Sequence, residues 1–166
     1  MTTSNFATAK TTDFNEIPVV DVSKIATDEG FAQIAEQLVQ KAKDIGFFYL
    51  TGHNIAPEII EAAFAASVRF FELPTDQKAT VGVDTNQRGW MGQGMAKLEG
   101  SKTHDAKEVF FWGWDVDGDD PQLRAGAAMV AQTQWPDAVA PDLRRDLMPY
   151  YMSVVGLGRG LMAAIA

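Results

Sequence analysis

The segment that most constrains this chain is residues 108–114, Glu-Val-Phe-Phe-Trp-Gly-Trp, which is rich in aromatics and apolar at both odd and even positions. Successive side chains of a strand point to opposite faces, so such a run needs cover on both sides. A buried strand is expected here, and the rest of the chain has to supply its cover.

Two helical stretches precede it. Phe31, Ile34, Ala35, Leu38, Val39, Ala42 and Ile45 fall on one stripe, predicting a helix over 29–45, with Thr27 or Asp28 as its cap and Gly46 at its end. Pro57 followed by Glu58 opens a second helix to about Phe71, with Ile60, Ala63, Phe64, Ser67, Val68 and Phe71 on one side. Short strands are expected at 17–22, a β-branched run with Pro18 near its start, and at 47–50, Phe-Phe-Tyr-Leu. One further helical turn fits 75–78. Residues 82–100 hold five glycines without periodicity and read as loop with room for short strands. After an acidic turn at 115–121 and an exposed connection over 122–141, a long helix carries Leu143, Leu147, Tyr150, Tyr151, Val154, Leu161, Met162 and Ile165. No capping residue follows, so the chain is expected to stop within that helix. The fold class is α+β.

A length of 166 residues allows one domain with a real core, and 46% apolar with 22% charged residues is ordinary globular composition. Acidic residues outnumber basic ones 22 to 14, and the net charge of −8 disfavours nucleic acid as a partner. No apolar stretch approaches the roughly 20 residues of a membrane span. Residues 1–13 are polar and read as a disordered lead-in, not a secretory signal. Zero cysteines exclude disulfides, thiolate catalysis and Cys-based metal sites, which fits a cytoplasmic setting.

The order of the signals is itself informative. Ile17-Pro18-Val19-Val20-Asp21, then Gly46-Phe47-Phe48-Tyr49-Leu50 running into Thr51-Gly52-His53-Asn54-Ile55, resembles the N-terminal region of isopenicillin-N-synthase-like, 2-oxoglutarate/Fe(II)-dependent oxygenases. Phe70-Phe71-Glu72-Leu73-Pro74 with Lys78, Arg88-Gly89-Trp90, Lys107-Glu108-Val109-Phe110 and Gln134-Trp135-Pro136 are similar to later stretches of that family in the same order. The resemblance implies helices and short strands flanking a double-stranded β-helix, or jelly roll, with the core incomplete, and a domain over 14–166. It also implies Fe(II) and 2-oxoglutarate as cofactors of the full-length enzyme, a small organic substrate, and a missing C-terminal jelly roll.

The family's iron is held by a His-x-Asp pair and a distant second His, a set that leaves positions open for the keto acid and O2. This chain has two histidines, His53 and His104, and neither begins a His-x-Asp sequence. No catalytic or metal residue is therefore expected, and no cofactor for the chain by itself. His53 reads as a turn residue bonded to backbone. His104, Asp105 and Glu108 read better as surface turn than as a metal site, because Glu108 opens a β-type run rather than a helix. The acidic stretch from Asp115 lacks the Gly and Glu of a calcium loop, and Gly89, Gly92 and Gly94 lack the flanking elements of a phosphate loop.

By the resemblance, Arg88, Trp90, Glu108, Phe110 and Trp112 are candidates for the substrate-pocket wall. Arg88 offers a planar fork for a substrate carboxylate, with a structural salt bridge as an equal alternative. Phe110 and Trp112 suit core packing as well as substrate contact. Glu108, at the head of a buried strand, requires either a protein cation or a cationic substrate. Two functions follow as expectations. One is the scaffold half of an oxygenase, not catalytic alone. The other is a truncated, non-catalytic interaction or oligomerisation module pairing with a second copy.

Overall fold

A computed structural model describes residues 17–97, 99–100 and 102–166, so the lead-in expected over 1–13 lies outside the described residues. Its elements are helices and three-residue strands, an α+β chain, and the described residues fall in two compact units: those from 17 to Asn54 together with Val154–Ala166, and those within Ile55–Ser153.

In the first unit, β1 (Val19–Asp21) pairs in parallel with β2 (Tyr49–Thr51), Val20 opposite Leu50. Parallel neighbours cannot be joined by a tight turn, and α1 (Asp28–Asp44) is the crossover. Thr27, not Asp28, caps it, its hydroxyl accepting from the Gly30 N–H at 3.2 Å. At the other end the N–H groups of Ile45 and Gly46 both donate to the Lys41 carbonyl, ending the helix where Gly46 suggested. Val20, Val22, Ile34, Leu38 and Ala164 form the core, with Leu157 and Leu161 against it. Both strands are shorter than expected, since pairing stops at three residues, and Phe47 is left 56% exposed.

The second unit begins with α2 (Pro57–Phe71), Pro57 standing where a missing N–H costs nothing. Its buried residues are Ala63, Ala66 and Phe70, whereas Phe64 and Val68, expected on the inner stripe, are exposed. The helix is apolar around much of its circumference, so periodicity alone could not choose the face. The two alanines instead allow close approach. α3 (Thr75–Lys78) and a 3-10 turn at Ala79–Val81 lead to β3 (Gly89–Met91), which pairs antiparallel with β4 (Val109–Phe111). Gly89 has φ 111° and a Cβ there would lie 2.4 Å from the Val81 carbonyl oxygen, so only glycine fits.

Trp90 and Phe110 are directly opposed across the β3–β4 pair and both face the core, beside Phe70, Val81, Leu143 and Leu147. Phe110 lies 5.0 Å from Phe70 and 5.9 Å from Trp135 between ring centroids. The run 108–114 is thus buried only at its middle. Trp114 is exposed, because pairing ends at Phe111 and the Gly113 N–H turns to the Thr133 hydroxyl. The connection expected to be exposed contains α4 (Pro121–Arg124), capped by Asp120, and buries Ala131, Thr133 and Ala140. α5 (Asp142–Ile165) contains Pro149 and contributes its residues up to Ser153 to this unit and the remainder to the first. No helix of the described residues is long and apolar enough to cross a membrane.

Candidate ligand-binding site

Lys78, the last residue of α3, has only 5% of its side chain exposed. A buried ammonium needs acceptors, and its Nζ donates to the Phe71 carbonyl at 2.8 Å and to Glu108 Oε2 at 2.7 Å. Trp90 Nε1 donates to the same oxygen at 2.9 Å, and Lys78 Nζ stands 5.6 Å from the centre of the Trp90 ring. The Lys78 hydrogen bond holds the Glu108 carboxyl below the usual range, with the Trp90 bond helping against the opposing effect of burial. Of the two partners expected for Glu108, the structure supplies the protein cation.

A cavity of about 330 Å³ opens beside this group, lined by Thr75, Trp90, Gly92, Gln93, Met95 and Glu108. A Cβ on Gly92 would come within 2.6 Å of the Trp90 ring, so the bare backbone lets the wall lie against the indole. The Gly92 N–H donates to Met95 Sδ at 3.2 Å, drawing that exposed side chain toward the cavity. Trp90 and Glu108 are therefore brought together on the wall of one cavity.

The other three candidates go elsewhere. The Arg88 guanidinium donates to the carbonyls of Asn86 (3.5 Å), Gln87 (3.3 Å) and Met129 (3.1 Å), while its Nε is buried without a partner. Among the described residues no carboxylate pairs with it, so Arg88 is neither in the salt bridge nor on the cavity wall. It clamps backbone at Gln87 and Met129, both at positive φ. Phe110 is core packing. Trp112 packs on Trp135 and Tyr151 at 5.9 and 5.4 Å and lines a different cavity of about 170 Å³ with Ala63, Phe64, Ser67, Leu147 and Tyr150.

Sequence reading missed one polar centre. Asp115, read as part of a solvated turn, accepts from the Thr133 N–H (2.6 Å) and Trp135 Nε1 (2.7 Å) and pairs with Arg144 at 3.3 Å. Burial acts to raise its pKa, but the Trp135 and Thr133 bonds and the Arg144 charge outweigh it and the carboxyl is held low. Its partners lie far along the chain, so no local motif announced it. Asp105 pairs with Lys107 at 3.0 Å, and among the described residues no group of three or more His, Asp or Glu is placed to hold a metal. The donor set for Fe(II) does not fit these residues.

The family model for the non-haem dioxygenase in morphine synthesis N-terminal region matches residues 17–138. A 2-oxoglutarate-dependent dioxygenase of Didymella fabae is 30% identical over 95% of this chain and 50% of its own length. The 2-oxoglutarate-dependent dioxygenase citB of Monascus ruber is 29% identical over 85% of this chain and 44% of its own. Among solved structures, a 2OG-Fe(II) oxygenase family protein of Caulobacter crescentus superposes with a TM-score of 0.74 at 28% identity, covering 91% of this chain and 48% of that one. A full-length Neurospora crassa protein, solved in complex with alpha-KG and thymine, gives 0.69 at 25% identity, covering 90% and 47%. This chain spans about half the length of the relatives it matches.

Proposed function

Because this chain belongs to the N-terminal family of non-haem dioxygenases, we propose that it is the N-terminal part of a 2-oxoglutarate/Fe(II)-dependent oxygenase acting on a small organic substrate. On this reading residues 14–166 form the flank of a jelly roll carried by the other half of the protein. The chain supplies scaffold and part of the pocket wall, and iron and 2-oxoglutarate are held by residues outside it. The observation that supports the reading most is the family match over residues 17–138 together with the shared fold of the Caulobacter protein. The cysteine-free composition fits a reducing, cytoplasmic setting.

Of the five wall candidates, Trp90 and Glu108 are retained as substrate-facing, because they share a cavity. Reading the messenger RNA past the codon for Ala166 tests the proposal. The expected result is an open frame encoding a His-x-Asp and, further on, a second His. A stop codon at that point sinks it and favours the interaction module.

A further inference from the structure

The cavity beside Glu108 has a chemical character that the family match does not supply. Among its lining residues Glu108 alone is ionised, since Lys78 lies beneath the wall and is not part of it. Both donors to Glu108 end on Oε2. A carboxylate offers about four lone-pair sites on its two oxygens, so Oε1 is the remaining acceptor of a group already fixed in place. Around it stand an indole, a thioether and two neutral polar side chains, Thr75 and Gln93. The lining offers a cation three favourable contacts: a negative oxygen, an electron-rich ring and a polarizable sulfur. The net charge of −8 over the whole chain works in the same direction.

We propose that this cavity is a binding subsite for a small organic cation, an alkylguanidinium or alkylammonium group held by Glu108 Oε1 against Trp90 and Met95. The buried Lys78 fixes the carboxylate from behind, so the site is preorganised and little order has to be created on binding. Glu108 then stands between two cations, one from the protein and one from the ligand. An anionic group meets no exposed positive charge on the lining. As a substrate subsite this deepens the oxygenase reading and rests on it. As a binding site it depends only on side chains of this chain.

The test is a titration of the ¹⁵N-labelled chain with n-butylguanidinium, following the Trp90 indole N–H resonance, identified by its loss in Trp90→Phe. A saturable shift with a Kd on the order of 1 mM is expected for so small a probe. The uncharged n-butylurea is expected to bind at least about tenfold more weakly. Glu108→Gln should lose the response, but it also weakens the partner of a buried ammonium. Gln93→Lys is the cleaner variant, since it puts a like charge on an exposed position of the lining and leaves the Lys78–Glu108 pair intact. It should bind at least about tenfold more weakly with an unchanged melting temperature. Absence of a saturable shift, equal binding of the urea, or normal binding by Gln93→Lys would each overturn the subsite. With no iron or 2-oxoglutarate in the titration, those outcomes leave the oxygenase reading standing. A stop codon after Ala166 removes that reading and leaves the subsite standing.

Discussion

Lys78 and Glu108 show how a single ion pair sets local behaviour. Removing one partner leaves the other desolvated, whereas removing both leaves only a shape to fill. Glu108→Gln is therefore expected to cost about 2 kcal/mol in urea unfolding. Lys78→Met combined with Glu108→Leu should cost less than the sum of the two single changes, as a double-mutant cycle would measure. Glu108 and Asp115 both have carboxyls held low in the folded state, the first chiefly by the Lys78 bond, the second by Trp135, Thr133 and Arg144 against burial. Such groups contribute stability above the unfolded carboxylate pKa of about 4 and lose it as pH falls through the lower folded values. Unfolding free energy should thus drop on acidification below about pH 4, and less steeply in Asp115→Asn; an unchanged slope there would contradict the role given to Asp115. Arg88→Lys keeps the charge but loses the planar fork that reaches three carbonyls, for an expected loss of about 1 kcal/mol.

At the scale of elements, the helices could be read closely from the sequence: 29–45 against Asp28–Asp44, and Pro57 to Phe71 at both ends. A 3.6-residue stripe repeated over several turns, bounded by Thr27, Gly46 and Pro57, leaves little freedom. The strands were visible as aromatic or β-branched runs, but their lengths are set by partners distant in sequence, so their ends were not. β3 hides in a glycine-rich stretch with no alternation, and α4 is four residues long. The site shows the same division. Trp90 and Glu108 stand out in the sequence as an aromatic and a carboxylate in family-like stretches, yet Lys78, which touches both, figures only in a family pattern, because nothing local marks a lysine for burial. The β3–β4 pair also yields a prediction. Gly89→Ala forces a Cβ against the Val81 carbonyl at positive φ and should destabilise by about 2 kcal/mol or more, read as a fall in melting temperature.

For the molecule as a whole, the donor set decides what the purified chain does with metal. Calorimetric titration with Fe(II) is expected to show no tight stoichiometric site, and one such site would contradict the scaffold reading. Phe64 at 67% and Val68 at 53% exposed leave an apolar strip on α2, so light scattering should detect self-association of the isolated chain. The ownership of α5 has a consequence for biogenesis. Residues 55–153 form a continuous unit, but the core around Val20 and Leu38 is closed by Leu157, Leu161 and Ala164. During translation the middle of the protein can settle while its beginning waits for residues made more than a hundred positions later. The amino-terminal strand pair is then sealed only after the middle of the chain has been made, and a chaperone would have to shelter it in the meantime.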